Sequence, residues 1–251
     1  MNTGIVIQAR LTSTRLPKKV LLPFHGSMTI LDILIDKLRS VCPNIVIATS
    51  SKSENDELVK FATHKDVCCY RGSEDDVLQR FIDSAKASNI THIIRICSDN
   101  PFLDVNSLKM LICSVEEDSD CDYISFDIDG TPSIKTHYGF WAEYVSLDAL
   151  LRISSLTSEQ LYHEHVTNYV YTHPDMFKIK WLEVPAFVKQ HKNVRLTIDT
   201  KEDFENAAHI YDALYSQLGC YPTMEEVLMY LDTHAEYYKS MESQIIKNSK
   251  K

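Results

Sequence analysis

The 251-residue chain is predicted to adopt an α/β fold, a mostly parallel sheet with helices on both faces. Two features of the first half lead there. Short β-branched apolar runs alternate with stretches of helical periodicity, and the runs are apolar on both faces, as in buried parallel strands. Such strands, joined through helices, imply right-handed crossovers.

The elements follow in order. GIVIQA (4–9), NIVIATS (44–50), VCCY (67–70) and THIIRIC (91–97) read as strands. The stretch 28–40 carries Ile30, Leu31, Leu34, Ile35 and Leu38 on one helical face. Ser53-Glu54-Asn55-Asp56 resembles a capping box, with Asp in its last place, opening a second helix. A third helix spans 74–88 on Val77, Leu78, Phe81 and Ile82. A fourth follows Pro101 on Val105, Leu108, Leu111 and Ile112, with Asp104 as its N-cap. DYISFD then reads as a strand, DIDGTPS as a turn and 146–172 as helix, broken at Pro174. FKIKWLEV (177–184) and VRLTID (194–199) read as strands. Helices over about 201–217 and after Pro222 complete the fold, and the end KNSKK reads as a solvated tail. The whole length, 1–251, reads as one domain with a less regular stretch at about 121–175.

A strand order beginning 3-2-1-4 puts the ligand crevice between the first and fourth strands. The segments following residues 9 and 97 line it.

Bulk properties narrow the function. A net charge of −9 argues against general nucleic-acid binding, which needs a basic surface. No run approaches the ~20 apolar residues of a membrane span, and MNTGIVIQARLTSTR lacks the features of a secretory signal, so a cytoplasmic protein is expected. The seven cysteines include no CxxC pair and read as buried, reduced thiols, not as a zinc or disulfide framework.

Against that acidic background, QARLTSTRLPKKVL gathers Arg10, Arg15, Lys18 and Lys19 with Thr12, Ser13 and Thr14 just beyond the first strand. Such a cluster suits a polyanion, Arg offering a planar fork and Lys a point charge. With no glycine before Gly26, it is neither a P-loop nor a dinucleotide fingerprint, and side chains must supply the grip. In CSDNPFLD, Asp99 stands just past the fourth strand, where a carboxylate can hold Mg²⁺. Asp199, in RLTIDTKEDF, ends another strand and can either cap a helix or join Asp99 at a metal; Glu202 and Asp203 suit the positive end of the following helix.

These segments resemble a known family. QARLTSTRLPKKVL is similar to the ARxxSTRLPGKPL signature of the CMP-KDO synthetases and of the spore-coat-polysaccharide type of cytidylyltransferase. IVIATS, YRGSEDDVLQRF, RICSDNPFLD, HYGFWAEYVSLDAL, LYHEHVTNYV and LTIDTKEDF resemble the family's other blocks in order, over about residues 4–210. The resemblance implies a Rossmann-like nucleotidyltransferase fold, CTP as donor, Mg²⁺ as cofactor, and transfer of CMP with release of pyrophosphate. The acceptor would be a small acidic sugar, KDO-like or nonulosonic, or a sugar or polyol phosphate for surface polysaccharide. On matching positions, Ala9, Arg10, Arg15 and Lys19 would hold the triphosphate, and Asp99 and Asp199 the metal, with Arg10, Lys19, Asp99 and Asp199 catalytic. Thr49, Ser50, Arg71 and Arg80 would border base and ribose. His137, Tyr138, Glu164 and His165 would lie toward the acceptor. A homodimer built through 121–175 is implied as well. Lys18 and Ser98 stand where the family usually has glycine.

His137 and His165 suit a general base by type, although packing is the commoner role for a histidine so placed. HYGFWAEY reads as core or dimer contact, unless Trp141 is exposed. Two rival readings stay open from sequence. One is a glycosyltransferase using a nucleotide-sugar donor, with Asp127-Ile128-Asp129 as its Asp-x-Asp metal motif. The other is a non-catalytic nucleotide-binding subunit.

Overall fold

Ile5, Val6 and Ile7 lie in the middle of the sheet and are all fully buried, with strands on both sides of them. Their side chains alternate between faces, so Ile5 and Ile7 join one hydrophobic cluster and Val6 the other. Each such side chain contributes about 1.5–3 kcal/mol on leaving water. The computed structural model describes residues 2–248.

In chain order the first half comprises β1 (Thr3–Gln8), a small hairpin of β2 (Pro23–His25) and β3 (Met28–Thr29), α1 (Ile30–Arg39), β4 (Ile45–Ser50), α2 (Asp56–His64), β5 (Cys68–Gly72), α3 (Val77–Ala87), β6 (His92–Cys97) and α4 (Val105–Glu117). The second half contains β7 (Tyr123–Ile128), β8 (Thr131–Pro132), β9 (Glu143–Ser146), α5 (Leu147–Leu156), α6 (Gln160–Glu164), α7 (Asn168–Thr172) and β10 (Ile179–Glu183). It ends with α8 (Ala186–Gln190), α9 (Lys201–Leu218), α10 (Met224–Thr233) and α11 (Ala235–Lys247). The main sheet runs β5-β4-β1-β6-β9-β7-β10, with β8 paired to β7. Its first four strands are parallel and stand in the expected order 3-2-1-4. The crevice beyond β1 and β6 is therefore a topological switch point. Among the described residues, no helix is long and apolar enough to cross a membrane.

Several elements differ from the sequence expectation. Strand β9 was not anticipated; it lies antiparallel between β6 and β7. The helix expected over 146–172 is three pieces, because Thr157 turns extended (φ −146°, ψ 147°) after α5. That break lets Gln160 donate to the Asp75 carbonyl at 2.9 Å and brings His163 to Asp76 at 2.9 Å. Residues 194–199 form no strand, and the chain bends at Thr197. Their backbone bonds go to loops instead, from Leu196 and Thr197 to the His137 carbonyl and from Ile198 to the Asp99 carbonyl.

The capping box expected at Ser53–Asp56 does not form either. Residues 53–55 make a short 3₁₀ turn, and the buried Asn55 side chain accepts from Leu11 N–H and donates to Ser50 Oγ, each at 2.8 Å. The Asp129-Gly130 turn is the hairpin loop between β7 and β8, both residues left-handed (φ 51° and 81°). Asp127 accepts from Gly130 N–H and Asp129 pairs with Lys189, so the Asp-x-Asp pair serves the hairpin. At the C-terminus, Asn248 is bonded to Arg15 and not left in solvent, while 249–251 of the expected tail lie outside the described residues.

Helix α1 opens on a complete capping box. Asp32 accepts from the Thr29 N–H and hydroxyl, its own N–H bonds to Thr29 Oγ1, and Lys65 Nζ lies 2.5 Å from its other oxygen. Burial raises the Asp32 pKa, but Lys65 and Thr29 outweigh it and hold the carboxyl below its ordinary value. A depressed folded-state pKa gives stability that is present above the unfolded value and lost as pH falls through the folded one. Asp32→Asn should therefore lower unfolding free energy at pH 7 by about 1–2 kcal/mol. Urea titrations from pH 7 down to about 3 should show a shallower acid loss in the variant than in the parent.

Candidate active site

The loop after β1 is shaped by its backbone. Ala9 N–H bonds to Ala48 O at 3.3 Å, and Lys18 N–H closes the loop onto Leu11 O at 3.0 Å. Lys18, where the resembled family has glycine, is left-handed (φ 57°), so the position requires the conformation glycine adopts freely. Its Nζ sits on Glu57 at 2.5 Å, and its turn sends Lys19 inward. Ser98, at the other glycine-like position, is not among the positive-φ residues and needs no such freedom.

Lys19 is 7% exposed, and its ammonium is the hub. It lies 2.9 Å from Asp99 Oδ2 and 3.6 Å from Asp199 Oδ1, and donates to the Ile198 carbonyl as well. Asp199 also meets Arg15 and the buried Arg195, each at 3.0 Å. Asp203 braces this side, accepting from Arg195 at 2.8 and 2.9 Å and from Asp199 N–H at 3.0 Å, while forming the α9 capping box with Thr200. Burial raises the Asp203 pKa, but the Arg195 fork and the backbone N–H donors hold the carboxyl below its ordinary range.

Beneath the crevice lies a second buried network. Arg95, on β6, donates to Gln8 of β1 at 2.9 Å and to Glu143 of β9 at 2.5 Å. Glu143 also accepts from the Tyr123 hydroxyl and, at 2.9 Å, from Thr167 Oγ1. Burial opposes the Arg95 charge, yet Cys97 and Glu143 more than compensate and raise its pKa. Arg95 thus forms a charged floor shared by two openings. One, of about 220 Å³, is lined by Arg10, Ser13, Thr14, Arg15, Lys19, Asp99 and Asp199 among others. The second, of about 470 Å³, shares Arg15, Arg95 and Asp199 and adds Lys135, His165, Asn168, Tyr171 and Asn248.

A cationic loop and two carboxylates at the switch point of a 3-2-1-4 sheet are what the sequence resemblance calls for, and a family model described as cytidylyltransferase matches residues 4–236. The chain belongs to the cytidylyltransferase family. It is 38% identical over 214 residues to the spore coat polysaccharide biosynthesis protein SpsF of Bacillus subtilis, covering 82% of this chain and 85% of that protein. Its fold is similar to a cytidylyltransferase of Leptospira borgpetersenii, with TM-score 0.81 and 28% identity over 94% of this chain and 96% of that one. A CMP:2-keto-3-deoxy-manno-octonic acid synthetase complexed with CTP shares the fold, at TM-score 0.61 and 15% identity over 86% and 99% of the two chains.

In this cytidylyltransferase, Arg10, Arg15, Lys19, Asp99 and Asp199 converge on one crevice. Thr49 and Ser50 are buried at the end of β4. Arg71 donates to the Ser51 and Lys52 carbonyls and pairs with Asp56, while buried Arg80 donates to the carbonyls of Ser73 and Glu74. Both arginines thereby shape the turns bordering the crevice. Glu74, not singled out in the sequence, accepts from Thr12 Oγ1 at 2.7 Å and lies 3.8 Å from Arg10. Burial raises its pKa, but the Ser50 and Thr12 hydroxyls with Lys52 and Arg10 bring it below the ordinary value.

Of the acceptor-side expectations, His165 lines the larger cavity. His137 Nδ1 lies 2.8 Å from Arg195, the Tyr138 hydroxyl bonds to His191 O at 2.7 Å, and Glu164 is exposed at the end of α6. Trp141 is buried. Arg95 and Glu143 went unnoticed, although an Arg inside an apolar strand such as THIIRIC is a signal in itself, because a buried charge needs a partner.

Asp99 and Asp199 fit a hard cation that takes one or two carboxylates and completes its shell with substrate phosphate oxygens. Both are reached by the same ammonium, and among the described residues no group of three His, Cys, Asp or Glu forms a self-sufficient metal site.

Left-handed backbone at a non-glycine residue costs roughly 1–2 kcal/mol, and the half-exposed Lys18–Glu57 pair returns only a part of it. Lys18→Gly should accordingly stabilise the enzyme by about 0.5–1 kcal/mol, measured as a higher urea midpoint at unchanged slope. A lower midpoint would show that the Glu57 contact outweighs the strain.

Proposed function

We propose that this cytidylyltransferase transfers CMP from CTP to an acidic, sugar-like acceptor with Mg²⁺ at Asp99 and Asp199, releasing pyrophosphate. The observation that carries this is the single ammonium of Lys19 within reach of both carboxylates, with the half-exposed Arg10 and Arg15 at the mouth. In the reaction an acceptor oxygen attacks the α-phosphorus of CTP, a new P–O bond forms, and the bond to the β-phosphate oxygen breaks as pyrophosphate leaves. Bound Mg²⁺ would supply charge neutralisation at the phosphates. Arg10 and Arg15 are half-exposed and would meet phosphate oxygens with their planar forks, Arg15 exchanging its Asn248 and Asp199 contacts to do so. Lys19 is fixed, and its charge offsets the two carboxylates before and during charge build-up on the leaving group. Arg195 and Asp203 orient Asp199, while the Ile198–Asp99 backbone bond joins the two carboxylate-bearing segments.

Arg15, Arg95 and Lys135 around the larger cavity favour an acceptor bearing a carboxylate or phosphate. His165, which lines this cavity, would receive a proton from an attacking hydroxyl. The names of the relatives, a spore coat polysaccharide protein and a CMP:2-keto-3-deoxy-manno-octonic acid synthetase complexed with CTP, support CTP as donor and polysaccharide synthesis as the setting. The same proposal takes the enzyme as cytoplasmic and as a homodimer through 121–175, where Leu151, Leu156 and Leu161 are exposed.

Thermal unfolding against CTP, UTP, ATP and GTP, each with and without Mg²⁺, tests donor and metal together. A ligand at 100 times its Kd adds about 2.7 kcal/mol, so CTP with Mg²⁺ should raise Tm by several degrees and the other triphosphates by much less. Asp99→Asn should keep the fold and lose at least about 10²-fold in pyrophosphate release. Retention of more than about a tenth of the parent rate would remove Asp99 from the metal site.

A further inference from the structure

Beyond the break that follows α5, the chain is fastened to the turn before α3 by a histidine that the proposed reaction does not use. His163, on α6, has Nε2 3.0 Å from the Thr157 carbonyl oxygen and Nδ1 2.9 Å from Asp76 Oδ2. A carbonyl and a carboxylate can only accept hydrogen bonds. A neutral imidazole has one N–H, so it satisfies one of these neighbours and turns a lone pair on the other. The imidazolium, with two N–H groups, satisfies both. The geometry therefore selects the protonated ring.

The charges around the ring agree. Burial, with the side chain 16% exposed, works against the positive form, but the Thr157 carbonyl and Asp76 outweigh it and raise the His163 pKa above its ordinary value. From the turn before α3, Asp76 supplies the carboxylate, while Asp75 offers its backbone carbonyl to Gln160. Arg80 of α3 also acts on Asp76, but its guanidinium donates to the Ser73 and Glu74 carbonyls. From the end of α5 comes the uncharged Thr157 carbonyl. On the histidine's own segment Glu159, Glu164 and His165 are exposed.

The ring joins two sides of the site. Asp76 is the N-cap of α3, its Oδ1 accepting from Gln79 N–H at 2.8 Å. It belongs to the turn that carries Glu74, whose carboxylate accepts from Thr12 in the cationic loop. On the other side, α6 leads into His165, Asn168 and Tyr171, which line the larger cavity, and into Thr167, which donates to Glu143. Gln160 adds an uncharged tie to the Asp75 carbonyl at 2.9 Å. His163 is thus the proton-dependent part of the joint between these sides.

We propose that His163 is a positioning residue: as the imidazolium it clasps the segment 157–167 to the Asp76 turn and steadies the His165 wall of the larger cavity, and on losing its proton it lets that wall loosen. This rests on the reading of that cavity as the acceptor's and adds a pH dependence to it. A folded-state pKa above the unfolded value gives stability that is fully present below the unfolded value, about 6.5, and is lost as pH rises through the folded one.

Amide hydrogen exchange read by mass spectrometry on peptides spanning 157–172 tests the clasp without nucleotide or acceptor. Failure of the clasp is therefore not confused with failure of the transferase reading. The parent is compared at matched pH, about 6 and about 8.5, with His163→Gln, which cannot charge, and His163→Arg, a permanent cation. Asp76→Asn removes the carboxylate and keeps a good N-cap residue on α3. A Tm for each variant shows it folded. At the lower pH the parent and His163→Arg should be equally protected, with His163→Gln and Asp76→Asn about three- to tenfold less so. At the higher pH the parent should fall to the level of His163→Gln while His163→Arg holds. If Arg does not fit, the ratio of parent to His163→Gln at the two pH values carries the test. A parent that keeps its full protection over His163→Gln at the higher pH, or a His163→Gln as protected as the parent at the lower, would overturn the clasp.

Discussion

Asp99 and Asp199 come from segments 100 residues apart and are kept together by one buried ammonium. Burying each ion costs several kcal/mol, so such a group survives only if every charge is paired. Lys19 satisfies both carboxylates, Arg195 and Arg15 take the remaining charge of Asp199, and Asp203 balances Arg195. Much of the fold serves this arrangement. The left-handed turn at Lys18 aims Lys19 inward, and the Asn55 side chain anchors the loop that carries it. The segment 194–199 gives up strand pairing so that Ile198 can bond to Asp99 O.

Arg95, held by Gln8 and Glu143, lines both the 220 Å³ and the 470 Å³ openings, and the buried Glu143 carboxylate balances its charge. Glu143 ties this floor to the second half of the chain, because it sits on β9 beside Arg95 and accepts from Thr167 just before α7. One buried carboxylate thus joins the Arg95 floor to the segment that leads into α7.

The charged loop, the two aspartates and the 3-2-1-4 order were legible in the sequence because each has a local signature: clustered cations, an Asp after an apolar run, and alternating strand and helix patterns. The second half was less legible. EYVS at 143–146 begins at the end of the aromatic stretch HYGFWAEY (137–144), where core packing and strand look alike. VRLTID has strand-like β-branched residues, yet its pairing partners are loop carbonyls that no local pattern announces. No Gly or Pro marks the break after Leu156, which is fixed by contacts of Gln160 and His163 with the turn before α3. Nor could sequence locate Asn248 at the site, since its contact with Arg15 spans 233 positions.

The most direct test of the carboxylate pair is Mn²⁺ binding followed by electron paramagnetic resonance, with and without CTP, in the parent and in Asp199→Asn. Two carboxylates that rely on substrate phosphates for the rest of the shell should bind Mn²⁺ weakly alone and at least about tenfold more tightly with CTP. Asp199→Asn should lose most of that gain while its Tm shows it folded. An Mn²⁺ affinity indifferent to CTP, or the same gain in Asp199→Asn, would contradict the placement of the metal and the phosphates between Asp99 and Asp199.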